Sequence, residues 1–135
     1  MCGIIALLTL LDDKMIDILL DGLKQLQNRG YDSAGICTMN DNYSILKYAS
    51  TNDEDSIKKL ESEKNKIINS NIGIAHTRWA THGAKTDNNS HPHISYDNKI
   101  AIVHNGIIEN YAELKLMLQN KGIEFKSQTD TEVIT

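Results

Sequence analysis

The chain opens with an unbroken apolar stretch over residues 3–11, rich in Ile and Leu. Its length and composition predict a strand buried on both faces. Apolar residues then recur at Met15, Ile16, Leu19, Leu20, Leu23 and Leu26. That is the spacing of one helix face, so 14–28 is predicted to be an amphipathic helix that Asp12 or Asp13 could cap. Two short runs, 34–39 and 43–49, flank Asn40-Asp41-Asn42 and predict a hairpin with a turn longer than a two-residue Asn-Gly connection. The charged segment 53–69 keeps Ile57, Leu60, Lys64, Ile67 and Ile68 in rough helical register, an exposed helix with a solvated charged face. A buried strand over 72–77 leads to a long loop over 80–99, which holds the sole proline. Loops of that length inside a domain are usually functional. A strand at 100–103 and a helix at 111–121, stopped by Gly122, follow. The final stretch, Asp130 to Thr135, begins like a capped helix. Strands in pairs alternating with helices predict α and β layers, with sheet packed between helices.

Composition narrows the class. At 135 residues the chain is one domain, large enough to bury a core. Its 40% apolar and 24% charged residues fit a globular protein. A net charge of −4 without a basic stripe argues against nucleic acid as a partner. Two cysteines, Cys2 and Cys37, make no disulfide framework. No apolar run reaches the length of a membrane span, so no membrane partner is expected. The apolar start has no basic segment before it and meets Asp12 and Asp13, unlike a signal peptide. A cytoplasmic location is therefore expected.

The candidate chemistry begins at Met1-Cys2-Gly3. Removal of the initiator methionine would leave Cys2 with a nucleophile and a base on one residue. A cysteine thiolate attacks carbonyl carbon readily, and a free α-amine, which titrates near ~7.7–8.0, can take the proton. Acting on an amide, such a nucleophile also needs oxyanion donors and groups to hold the substrate's ends. His104-Asn105-Gly106 offers a side-chain amide and a main-chain N–H side by side, although Asn-Gly is equally the signature of a tight turn. The stretch His76 to Gly83 places Arg78 beside Trp79, a pairing suited to a carboxylate. His76 and His82 there read as catalytic or as satisfying buried backbone groups. Asp130 suits a substrate ammonium, or with Thr129 a helix cap. Arg29 to Gly35 combines charge, turn residues and hydroxyls before a strand, or is a plain helix stop. His82, His91, His93 and Cys2 lack zinc-motif spacing, and an extended His91-Pro92-His93 is expected to splay its rings apart, so no metal is expected.

Taken in order, these motifs resemble a known family. Cys2-Gly3-Ile4, Arg29-Gly30-Tyr31-Asp32-Ser33-Ala34-Gly35, the His76–Gly83 stretch, His91-Pro92-His93, Val103 to Asn110 and Thr129-Asp130-Thr131-Glu132 are similar to the class II, N-terminal-nucleophile glutamine amidotransferases. Arg-Gly-Tyr-Asp-Ser and His-Thr-Arg-Trp-Ala-Thr-His-Gly point to the branch of glutamine–fructose-6-phosphate aminotransferases. The resemblance covers essentially all of 1–135, as the N-terminal part of the glutaminase domain. It implies an α+β fold, a four-layer α-β-β-α sandwich of the N-terminal-nucleophile hydrolase type. It implies hydrolysis of the L-glutamine side-chain amide to glutamate and ammonia, without metal or organic cofactor. By position, Cys2 is the nucleophile and its α-amine the base, while Asn105 and Gly106 form the oxyanion hole. Arg78 takes the α-carboxylate and Asp130 the α-ammonium. Trp79, Thr81 and His82 line the pocket, Arg29 supports the nucleophile's surroundings, and His91 sits on a loop near the glutamine. Such proteins continue into the rest of the glutaminase domain and sugar-isomerase domains that take fructose-6-phosphate. Those parts lie outside this sequence, so unpaired sheet edges are expected. The alternatives are an inactive fragment, a binding or regulatory module, or the glutaminase of another class II enzyme. The oligomeric state, homo-oligomer included, stays open.

Overall fold

The computed structural model describes residues 2–10, 14–80 and 83–135. Four strands form one antiparallel sheet: β1 (Gly3–Leu8), β2 (Ser33–Met39), β3 (Tyr43–Ala49) and β4 (Ile72–Arg78), in the order β1-β4-β2-β3. Helix α1 (Met15–Leu26) packs on β1 and β4, and α2 (Ser56–Ser62) on β2 and β3, both on one face. On the other side lies a two-stranded sheet, β5 (His93–Ile94) with β6 (Ala101–Ile102). Helix α3 (Tyr111–Asn120) and a closing 3-10 turn (Thr131–Ile134) complete the elements.

The core sits between the helices and the larger sheet. Met15, Leu19 and Leu23 on α1 and Leu60 on α2 are fully buried, against Ile36 of β2 and Ala75 of β4. Each large side chain so buried contributes about 1.5–3 kcal/mol. The helical spacing of the α1 apolar residues is thus the face that meets the sheet. Residues 27–29 finish as a 3-10 turn. Asp12 and Asp13 lie outside the described residues, and Lys14 stands at the start of α1 without a side-chain cap. Asp55 caps α2, its Oδ1 accepting the N–H of Ile57 and Lys58 at 2.9 and 3.1 Å.

Three expectations need correcting. Strand β1 is not buried on both faces: it is an edge strand, with Ile4 and Leu8 exposed. The apolar run reflects Ile5 and Leu7 turned to the α1 core, while alternate residues face outward. The exposed helix over 53–69 is a two-turn helix with Ser56, Ile57 and Leu60 buried, then a 3-10 turn at Lys64–Lys66. The larger sheet is not sandwiched between helices. Strand β5 and its approach cover the face opposite α1 and α2.

That second contact depends on Gly35. A Cβ there would lie 2.1 Å from the His91 carbonyl oxygen, so only glycine lets the His91–His93 segment rest on β2. Lys47, the register partner of Gly35 on β3, fastens the same segment. Its Nζ donates to the carbonyls of Asn88, Ser90 and Pro92 at 3.3, 2.7 and 3.1 Å.

Candidate active site

Register explains how distant residues meet. In the β1–β4 pairing Gly3 lies opposite Thr77, so the residue before β1 meets the residues that end β4. The Trp79 N–H donates to Cys2 Sγ at 3.2 Å, and the Gly3 N–H to Thr77 Oγ1 at 3.1 Å. Across β4, Ser33 of β2 pairs with Arg78. The loop before β2 is stitched to that end, with the Asp32 N–H donating to the Arg78 carbonyl at 3.0 Å. Gly30 makes this possible: a Cβ there would sit 2.7 Å from the Arg78 carbonyl carbon.

At this corner a cavity of about 400 Å3 opens. Of the expected site residues, Cys2, Arg29, Arg78, Trp79, His91, Asn105, Gly106 and Asp130 all line it. Thr81 and His82 lie outside the described residues. His76, His104, Thr129 and Thr131 complete the wall, together with Ile107. His104 and Thr131 were within motifs but not singled out. They meet through His104 Nδ1 and Thr131 Oγ1 at 3.2 Å, a contact that spacing alone does not reveal.

Each polar wall residue is held. Asn105 Nδ2 donates to the Cys2 carbonyl at 3.0 Å, and its Oδ1 lies 2.8 Å from His76 Nε2. Asp130 Oδ2 accepts the Ile108 N–H at 2.7 Å, so the carboxylate is fixed rather than capping a helix with its side chain. The Arg78 guanidinium is buried and donates to the Ala84 carbonyl at 3.5 Å. Burial lowers its pKa, which the charges of Cys2, Asp32 and Asp130 partly offset. Asp32 is buried beside it, accepting the Ala80 N–H at 2.8 Å and pairing with Lys85. Burial pushes the Asp32 pKa up, but Lys85, Ala80 N–H and Arg78 outweigh it and hold the carboxyl below its usual range.

Three imidazoles are buried together here, of which His76 and His91 line the cavity and His93 lies behind them. His76 and His91 stack with centroids 4.3 Å apart and 17° between planes. His91 and His93 meet edge to face at 4.6 Å, contrary to the expected splay. His93 Nε2 lies 3.0 Å from Thr129 Oγ1. Burial keeps all three rings neutral, with His76 lowered to about 4 and His93 to about 3. His91 falls far below its ordinary value through burial and the neighbouring histidines and cations. Among the described residues, no group of three His, Cys, Asp or Glu is placed to hold a metal ion.

A thiol, a side-chain amide, a buried guanidinium and a fixed carboxylate thus stand around one cavity. A sequence profile of the glutamine amidotransferase domain matches residues 54–135. The chain belongs to the glutamine amidotransferase family. It is 50% identical over 135 residues to the glutamine–fructose-6-phosphate aminotransferase (isomerizing) of Clostridium perfringens, covering 99% of this chain and 21% of that protein. The protein of the same name from Pyrococcus horikoshii is 48% identical over 134 residues, covering 99% and 22%. The chain thus spans about a fifth of the length of these relatives. Among solved structures, the allosteric regulatory enzyme of purine biosynthesis superposes with a TM-score of 0.78 at 27% identity, over 98% of this chain and 28% of that one. The glutamine phosphoribosylpyrophosphate amidotransferase of B. subtilis gives 0.70 at 26%, over 98% and 28%. The α+β fold of the N-terminal-nucleophile amidotransferases is therefore the fold of this chain. Among the described residues no helix is long and apolar enough to cross a membrane.

Proposed function

We propose that this amidotransferase domain hydrolyses the side-chain amide of L-glutamine with Cys2 as nucleophile. The observation that carries the reading is the single cavity lined by Cys2, Asn105, Gly106, Arg78 and Asp130. With Met1 removed, the Cys2 α-amine takes the thiol proton and the sulfur attacks the amide carbon. The carbonyl π electrons move to oxygen, and the resulting oxyanion is met by Asn105 Nδ2 and the Gly106 N–H. An amide nitrogen has two hydrogens, so Asn105 can serve the oxyanion while holding the Cys2 carbonyl. Each such donor is worth roughly 3–4 kcal/mol in the transition state. The ammonium returns its proton to the leaving nitrogen, the C–N bond breaks, and ammonia departs from a thioester. Water, deprotonated by the amine, then adds to the thioester and expels the thiol to give glutamate. Arg78 suits the α-carboxylate as a bidentate fork, and Asp130 the α-ammonium. Trp79, Thr81, His82, Arg29 and His91 complete the pocket in this reading.

Likeness to the fructose-6-phosphate aminotransferases suggests where the ammonia goes. Fructose-6-phosphate is the proposed acceptor, taken by sugar-isomerase domains that lie within the four-fifths of those relatives that the chain does not span. The test is the intact mass of the chain before and after a glutamine-mimicking diazoketone. The expected result is a mass lacking methionine that gains one adduct, and no adduct on Cys2→Ala. A retained Met1, or no adduct on the wild type, would overturn Cys2 catalysis.

A further inference from the structure

Asn105 can present either end of its amide to Cys2, and only one end is useful to an oxyanion. The Cys2 carbonyl can only accept, so the atom 3.0 Å from it must be the amide nitrogen. That leaves Asn105 Oδ1, also only an acceptor, 2.8 Å from His76 Nε2. The ring nitrogen must therefore carry the proton. A neutral ring has one N–H, so Nδ1 is bare, in keeping with its burial without a hydrogen-bond partner. His76 itself has no freedom to turn. It is fully buried on β4, between Ile4 and Gly35 in register, with the His91 ring stacked against it.

From this chain of contacts we propose that His76 is a positioning residue, whose Nε2–H tautomer locks the Asn105 amide with its NH2 turned to Cys2 and the cavity. The inference rests on the glutaminase reading of the site and adds to it the residue that orients the oxyanion donor. In this reading His76 acts through Asn105 rather than on the substrate itself. Protonation of Nδ1 instead would make Nε2 an acceptor, draw the amide nitrogen to it and face Oδ1 toward the Cys2 carbonyl. The hydrogen bond also polarises the amide, making its other end a better donor.

Two measurements test it in the full chain. Two-bond 1H–15N correlation spectra of the wild type at pH 7 should show His76 as the Nε2–H tautomer. An Nδ1–H ring or an imidazolium would overturn the proposal, and this result does not depend on what the protein hydrolyses. His76→Phe keeps a ring against His91 but removes the donor, whereas His76→Gln places an amide N–H near the position of Nε2. His76→Phe should lower kcat for glutamine about 10- to 100-fold, since losing an oxyanion donor outright costs about 100- to 1000-fold. KM should stay within about twofold, and iodoacetamide, whose reaction forms no oxyanion, should alkylate Cys2 at the wild-type rate. His76→Gln should regain most of kcat. Unchanged kcat in His76→Phe, or equal losses of kcat and alkylation, would refute positioning. A wild type that releases no ammonia from glutamine would refute the glutaminase reading instead.

Discussion

Gly35→Ala is the most direct test of how the cavity floor is built. The new Cβ would lie 2.1 Å from the His91 carbonyl oxygen and 2.7 Å from Lys47 Cβ, against the 3.4 Å at which ordinary contact begins. The first neighbour is backbone, fastened by Lys47 through Ser90 and Pro92. The segment must therefore retreat by about 1.3 Å to reach that limit. Overpacking of this kind costs roughly 1–3 kcal/mol, while replacing glycine returns about 0.4–1 kcal/mol by restricting the unfolded chain. The net loss of about 1–2 kcal/mol should lower Tm by roughly 3–10 °C for a domain of this size. Because His91 stacks on His76, the displacement should also reach Asn105, and a shift near 1 Å can cost about 100-fold in rate. Differential scanning calorimetry and ammonia release measure the two effects. Gly22→Ala is the control. Its Cβ meets only the tip of Ile5, at 2.5 Å, inside a helix that favours alanine. A Gly35→Ala protein with wild-type Tm and activity would refute the packing of the His91 segment on β2.

Two further outcomes follow from the same geometry. Arg78→Lys should raise KM for glutamine about 10- to 100-fold with little change in kcat, because an ammonium cannot form the paired contact of a guanidinium. Steady-state kinetics that showed the loss in kcat alone would refute its place at the carboxylate. The fold should also weaken in acid. His76 and His93 are lowered from 6.5 to about 4 and about 3. Below pH 6.5 the unfolded chain gains protons that the fold refuses, so stability is full above that pH and is lost as pH falls toward 4. His76 alone accounts for about 3 kcal/mol at pH 4, on the order of 1.4 kcal/mol per unit. Urea unfolding midpoints that stayed level between pH 7 and 4.5 would contradict the burial of these rings.

Much of this was legible in the sequence, for a physical reason. The α1 face, the β2–β3 hairpin and the α3 helix are local patterns, and period and turn chemistry report them directly. Strand β1 departs from its expectation because a continuous apolar run looks alike in a central strand and in an edge strand facing a helix core. The site residues were legible as motifs, yet not as neighbours: Cys2 meets Trp79 through the antiparallel register of β1 and β4, and His76 meets Asn105 only where the segment after β6 reaches the larger sheet. The floor of histidines was least legible. Its rings come from β4 and from the segment that rests on the larger sheet, and they meet only because that segment packs at Gly35.

Lys47 carries a consequence for how this protein tolerates change. It belongs to β3, at the opposite edge of the sheet from the strand that follows Cys2. Yet three carbonyls of the segment leading to His93 converge on its one ammonium. Remoteness along the sheet is thus no guide to remoteness from the chemistry. A variant altered only at Lys47 would keep its hydrophobic core and lose the shape of the segment behind the cavity, so drift here should be judged by the carbonyls a side chain gathers rather than by its distance from Cys2.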